Sequence, residues 1–404
     1  MSRIQKVTVV VSVILVISLA VALALFLWYE NSLENGGAQD VPLAEEDNGG
    51  VQDDSESVEE NEQADDVGDE LTDANVDESE NGQADEDEDV AEVPEVTMLF
   101  TGDFLLGSGP KSSYDASGLD GILSEFLQEE LIGADLTMVN EEFPFSTRGT
   151  PMPDKQYTFR LDPSYVSVFQ ELGIDVVTLA NNHTLDYGTE ALSDTFEVLD
   201  AAGILYSGAG ESKERAAQPV FLDYGERKVG VLSASRVIPV VSWNIENQQP
   251  GMLCTYDSTA LVKAIEETRP LCDFLVIYVH WGVEYQDYPV EYQRKLAQEY
   301  IDAGADLVVG SHPHVPQGIE YYQGKPIVYS LGNFVTNANM VDTYVIKVVW
   351  DSDGESSLIV VPVAIKNSLT RELEGQEAQE MLRFIEEISY DVTIEENGTV
   401  HSNQ

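Results

Sequence analysis

From residue 95 onward short apolar runs alternate with stretches whose apolar residues recur at helical spacing, which predicts βαβ units around a largely parallel sheet. The runs 95–100, 136–139, 174–180 and 204–207 read as strands. Between them 118–131, 163–172 and 189–202 read as helices, the second with Asp162 as cap and Pro163 in its first position, the third closed by Gly203. Runs at 219–223 and 228–233 flank a four-residue turn and predict a hairpin. A helix over 258–268, a strand ending at His280, a helix over 290–303 and a strand ending at Gly310 follow. Two more hairpins, 319–322 with 327–330 and 343–350 with 357–364, precede a last helix over 377–388 and a polar tail. Parallel units followed by hairpins imply two mixed sheets packed together and flanked by helices.

The strand ends carry the chemistry. In DLVVGSHPHVPQGIE (306–320), Gly310 allows a sharp turn after a buried run, Pro313 and Pro316 stiffen it, and His312 and His314 would share a face on extended chain. Of the five histidines, four follow or end such runs: His183, His280, His312 and His314. Sites in open α/β sheets form beyond the carboxyl ends of the strands. Asp103, Asn140 with Glu142, Asn182 with His183, His280, His312 with His314, and Asn333 are therefore expected to converge. Carboxylate, amide and imidazole without thiolate suit a divalent ion of borderline hardness, Mn, Zn or Fe, as one or two ions. Taken singly, Asp103, Asn140 and Asn182 also fit plain turn chemistry. Glu284, four residues after His280, reads as a ligand, a substrate contact or a solvated carboxylate, and Asn333 as a supporting turn. Trp281, Tyr285 and Phe334 read as pocket wall or as core.

Composition divides the chain unevenly. Residues 7–28 form an uncharged apolar run long enough to cross a bilayer as a helix of about 20 residues. Arg3 and Lys6 precede it and acidic chain follows, so residues 1–6 are expected in the cytoplasm and the bulk outside, on a single-pass membrane protein. The run outlasts a signal-peptide core, which favours an uncleaved anchor. Residues 29–94 hold about 26 carboxylates and no Lys or Arg, the composition of an extended, solvated linker. The formal net charge is −54, and the remainder is still acidic, which argues against nucleic acid as a partner. Residues 95–366 are then the folded domain and 367–404 a terminal helix and tail. On the oxidising side of a membrane Cys254 and Cys272 could pair.

Between residues 98 and 335 the segments TGDFLLGS, VNEEFPF, LANNHTLDYG, VHWGVEY, GSHPHVPQGIE and YSLGNF occur in an order that resembles the motif series of the CapA family, the capsule and poly-γ-glutamate biosynthesis proteins. That family is in turn similar to the calcineurin-like metallophosphoesterases. The resemblance implies a four-layer αββα sandwich of two mixed sheets. It implies Asp103, Glu142, Asn182, His280, His312 and His314 as metal ligands, His183 as the catalytic histidine that protonates a leaving alkoxide, and Asp186 as the group that orients it. Two departures stand out. Leu105 occupies the place where those phosphoesterases carry a histidine, which removes a ligand from a second ion. Glu141 replaces the apolar residue usual in the CapA pattern, so either carboxylate can face the centre, with position favouring Glu142. The function implied is synthesis, export or anchoring of an anionic surface polymer, by phosphoester hydrolysis or by transfer at a polyglutamate chain, beside synthase subunits. A non-catalytic polymer-binding accessory subunit and a phosphoester hydrolase unrelated to capsule are the competing readings.

Overall fold

A computed structural model of the chain describes residues 93–337 and 340–404. The expected anchor at 7–28 and nearly all of the acidic linker lie outside the described residues. Among those described, no helix is long and apolar enough to cross a membrane.

Strand β1 (Val96–Phe104) leads through α1 (Ser108–Ser117) and α2 (Glu125–Gly133) to β2 (Leu136–Glu141), then α3 (Val166–Glu171), β3 (Val176–Thr178), α4 (Thr189–Ala202) and β4 (Leu205–Ser207). A short β5 (Ala209–Gly210) and the single turn α5 (Lys213–Ala216) precede the hairpin of β6 (Val220–Tyr224) and β7 (Arg227–Ser235). Next come β8 (Gly251–Met252), α6 (Thr259–Thr268), β9 (Phe274–His280), α7 (Glu291–Asp302), β10 (Leu307–Ser311) and the hairpin of β11 (Pro316–Tyr322) and β12 (Lys325–Leu331). The chain continues through β13 (Asn333–Val335), β14 (Val341–Trp350), β15 (Ser356–Lys366), β16 (Leu369–Glu372), α8 (Gly375–Glu387), β17 (Val392–Ile394) and β18 (Thr399–Ser402).

Two mixed sheets result. The first runs β17-β18-β15-β14-β1-β2-β3-β4, with β13 beside β1 and β16 beside β15. The second runs β11-β12-β10-β9-β7-β6, while β5 and β8 form a small ribbon. Strands β1 to β4 are parallel in one sheet and β7, β9, β10 and β12 in the other, the hairpin partners being antiparallel.

Period-two alternation sets the layers. Val96, Met98 and Phe100 of β1 face Val231, Val276, Tyr278 and Val309 of the second sheet, so one core lies between the sheets. Leu99, Val139 and Val177 point the other way, onto Leu127 of α2, Phe169 of α3 and Phe196 of α4. Leu275, Ile277 and Val308 cover the outer face of the second sheet against Leu261 and Ile265 of α6 and Tyr300 of α7. Helix, sheet, sheet, helix is the expected layering. Each fully buried aliphatic or Phe side chain contributes about 1.5–3 kcal/mol, so a one-residue register slip in β1 would exchange two cores and is strongly disfavoured.

Three expectations need correcting. The helix placed at 118–131 starts later, at Glu125: residues 118–121 are a short 3-10 turn following the unexpected α1, which Gly118 ends with a φ of 65°, and the Ser124 side chain caps α2 by accepting from the Leu127 amide. The tail is not only polar chain after a helix: β16 and β18 pair with β15, β17 pairs with β18, and Val392 and Val400 are buried between the sheets. Cys254 and Cys272 are free and sit in different cores, one beneath the helices of the first sheet and the other beneath α6 and α7.

Candidate metal and catalytic centre

Both sheets deliver their strand ends to one place. Asp103, near the end of β1, is in register with Asn140 of β2 on one side and Asn333 of β13 on the other. His280, the last residue of β9, lies between Ser235 of β7 and Ser311 of β10. Asn140 Nδ2 joins the sheets, donating to Asp103 Oδ1 at 2.7 Å and lying 3.2 Å from His280 Nδ1. The other imidazole nitrogen of His280 is 2.9 Å from Asn182 Oδ1 and 3.6 Å from Glu142 Oε1. Rings of His280 and His312 stand 4.7 Å apart, and those of His312 and His314 5.8 Å. His314 Nδ1 lies 3.1 Å from Asp103 Oδ2 and also 3.1 Å from Asn333 Oδ1.

The turn after β10 differs from the sequence expectation. Gly310 continues the strand, paired with Val279. Its missing side chain leaves room for the Trp281 indole N–H, which donates to the Tyr329 carbonyl at 2.9 Å. The histidines themselves turn the chain, with φ of 100° at His312 and 59° at His314, conformations that side-chain-bearing residues adopt at a cost. Trp281 and Phe334 are core, whereas Tyr285 is exposed and its ring lies 6.3 Å from that of His314.

Electrostatics follow from burial. Desolvation pushes His280 well below its ordinary pKa, with His312 and His314 adding to the effect. It takes His312 down to about 4. Burial would lower His314 too, but its contact with Asp103 and the nearby Glu142 carboxylate raise it to about 10. Glu142 is raised well above the carboxylate range by burial and then by Asp103. Glu141 is raised by burial alone and meets no charged neighbour, so Glu142 is the carboxylate at the centre.

His183 and Asp186 form a separate pair. The Asn181 side chain bridges β2 and this loop, donating to Asn140 Oδ1 at 3.0 Å and to the Glu141 carbonyl at 2.7 Å while accepting from the His183 amide at 3.0 Å. His183 Nδ1 lies 2.8 Å from Asp186 Oδ2, which also accepts from the Phe159 amide at 2.7 Å. The Phe159 ring lies 4.6 Å from the imidazole. Burial lowers the pKa of His183 and Asp186 partly offsets it. Lys155 also reaches this pair. Sequence reasoning missed Lys155, Asn181 and Ser311. Asn181 stands beside a residue already singled out, whereas Lys155 lies in a loop without periodic signal.

The arrangement fits a divalent ion. Asp103, Glu142 and His280 are buried and offer ligand atoms all within 4.8 Å of one another. Glu284, His312 and His314 form a second such group, in which Glu284 is exposed. Glu142 Oε1 and His312 Nδ1 are buried without a hydrogen-bond partner, and the burial of such atoms is costly unless something binds them. Neutral imidazoles and carboxylates are the ligating forms, so an ion would have to displace the protons that Glu142 and His314 hold in its absence.

Comparison with known proteins supplies the context. Residues 97–338 match the family model described as Bacterial capsule synthesis protein PGA_cap. The chain belongs to that family. It is 30% identical over 280 residues to the capsule biosynthesis protein CapA of Bacillus anthracis, covering 67% of this chain and 68% of that one. It is 29% identical over 277 residues to the PGA biosynthesis protein CapA of Bacillus subtilis, covering 67% and 72%. Among solved structures, a putative 5'-nucleotidase from Staphylococcus aureus in complex with alpha-ketoglutarate is 13% identical, covers 73% of this chain and 58% of its own, and has a TM-score of 0.41. These relatives are named for capsule synthesis and, in the solved case, for a nucleotidase.

Proposed function

We propose that this chain is a membrane-anchored, extracytoplasmic capsule synthesis protein whose divalent-metal centre hydrolyses or transfers a bond in an anionic surface polymer, such as poly-γ-glutamate, or in its precursor. One observation carries the reading: a buried cluster of carboxylates and imidazoles, drawn from both sheets, holds polar atoms that no protein group satisfies. The names of the Bacillus relatives support the polymer, and the apolar run at 7–28 supports the anchor.

Asp103, Glu142, Asn182 and His280 would hold one ion and Glu284, His312 and His314 a second. Such an ion lowers the pKa of bound water toward about 7 and polarises a phosphoryl or carbonyl oxygen. The protein's own groups do the rest. Asp186 fixes His183 through Nδ1, so that Nε2 is the nitrogen free to give a proton to a leaving oxygen. Asn140 holds Asp103 and His280 in their relative orientation, and Asn333 does the same for His314, donating to its carbonyl at 3.0 Å. A cavity of about 240 Å³ lined by Lys111, Phe143, Phe159, Arg160 and Tyr187 adjoins the His183 wall. Asp162 also lines it and Lys111 is paired with Asp115 at 2.7 Å, so Arg160 is the cation it presents to an acidic chain.

The test is elemental analysis of the full chain prepared without chelator, beside His280→Ala, with turnover of a phosphodiester followed on both. Bound Mn, Zn or Fe and turnover, both lost in the variant, are expected. Metal without turnover would replace the catalytic reading by polymer binding in a synthase complex, and undiminished metal in His280→Ala would remove this site.

A further inference from the structure

We propose that Lys155 is the positioning residue of this centre, an ammonium that fixes the Asp186 carboxylate and through it the orientation and tautomer of His183. The inference rests on the reading of His183 as a proton donor, and its first readout is independent of turnover.

Lys155 stands in the long connection from β2 to α3, which has little regular structure over residues 147–160. Its Nζ donates to Asp186 Oδ1 and to the Asn182 carbonyl and lies 3.1 Å from His183 Nδ1. The side chain is 13% exposed and that of Asp186 fully buried. The Trp243 ring, from the connection after β7, closes over the ammonium at 5.2 Å. A lysine buried in this way must release its hydration, and a buried ion pair commonly returns little net stability for that cost. Simple anchoring of the loop is already provided, since the Met152 amide donates to the Asp186 carbonyl at 2.7 Å and the Phe159 amide to Asp186 Oδ2.

What Lys155 adds is a partner for the remaining carboxylate oxygen. Oδ2 of Asp186 serves His183 and Phe159, and Oδ1 serves Lys155. With both oxygens engaged the carboxylate cannot rotate. It accepts the Nδ1 proton of His183 and leaves Nε2 as the nitrogen that meets a reacting oxygen. Lys155 Nζ also lies within reach of Nδ1, but Asp186 Oδ2 is the nearer partner at 2.8 Å and a carboxylate can only accept, so the proton on Nδ1 goes to Asp186. The contact to the Asn182 backbone also sets the residue whose side chain meets His280. One cation thereby couples the proton donor to the cluster from both sheets. Partners that orient a functional histidine typically change affinity or rate by about 10–100-fold when removed.

The experiment uses the full chain in detergent, labelled with ¹⁵N-histidine, as wild type, Lys155→Met and Lys155→Arg. Five histidines give a resolvable long-range ¹H–¹⁵N spectrum, with His183 assigned by His183→Gln. Wild type is expected to carry the ring proton on Nδ1. Lys155→Met should shift His183 to mixed tautomers or broaden it, and Lys155→Arg should restore the wild-type pattern. With bis(p-nitrophenyl) phosphate, Lys155→Met should lower kcat by about 10–100-fold at unchanged KM. If Lys155→Met does not fold, Lys155→Gln, which keeps a donor without the charge, carries the same expectation. A His183 spectrum identical in wild type and the folded neutral variant overturns the proposal. Absence of metal and turnover in wild type would overturn the hydrolase reading alone, leaving the spectrum to decide on Lys155.

Discussion

Replacing Glu142 by Gln should make the protein more stable than wild type in chelator and less stable than wild type with metal. Ligand atoms of Asp103, Glu142 and His280 lie within 4.8 Å of one another, in a buried site. Two ionised carboxylates at that separation repel by about 3 kcal/mol at an effective dielectric of 20. Proton uptake by Glu142, whose pKa burial and Asp103 raise, relieves part of this and leaves a residual cost in the metal-free protein. Glu142→Gln removes the charge at nearly constant volume and should raise the melting temperature in chelator. Metal should act the other way on wild type, adding about 2.7 kcal/mol at a hundredfold excess over Kd, or roughly 4 °C for a domain of this size. The neutral amide is a weaker ligand, so the variant should lose most of that gain. Thermal unfolding followed by circular dichroism, in EDTA and in Mn²⁺, Zn²⁺ or Fe²⁺, reads both signs. A metal-induced rise as large in Glu142→Gln as in wild type would refute the assignment of this carboxylate to the centre.

Gly310→Ala places a methyl group against the Trp281 indole and the Tyr329 carbonyl and breaks their hydrogen bond; a loss of about 2–4 kcal/mol is expected, read as a lower urea midpoint at unchanged slope. Arg227→Met should cost about as much, because the guanidinium donates to the carbonyls of Pro94, Trp350 and Asp351, and denaturant unfolding would measure it. The thiols of Cys254 and Cys272 should react with a chromogenic disulfide only after unfolding, since burial pushes Cys254 up to about 12, and reductant should leave the melting temperature unchanged. A melting temperature lowered by reductant would contradict their separation into two cores.

The parts of the site legible in the sequence are those carried by strand periodicity. An apolar run buried on both faces must stop where a polar side chain appears, and parallel packing puts those stops on one side of the molecule. Asp103, Asn140, His280 and His312 were found in this way. Lys155 was not, because its role depends on where an aperiodic loop folds back, a question settled by Asp186 and Trp243 far along the chain. The turn at 312–314 was misread for a related reason. Glycine is the usual sign of a positive φ, yet here Gly310 serves close packing and the histidines themselves take the unusual conformation. In the fold, α1 escaped notice because SGPKSSYDAS has almost no apolar face, and β18 because its one buried residue is Val400. Whether Cys254 and Cys272 pair stays open in the sequence, which carries no distance information, and the structure leaves both free.

The site draws Asp103 and Glu142 from the first sheet and His280 from the second. An ion held by these three groups would be a fastener between two halves of the molecule, closing a loop from residue 103 to residue 280 much as a covalent bridge would, in a chain whose described cysteines form none. It also sets an order of events. During synthesis Asp103, Glu142 and His183 emerge long before His280, His312 and His314, so the centre comes into being only once both sheets have met. Metal retention in a truncated or nicked chain therefore reports whether that meeting has taken place.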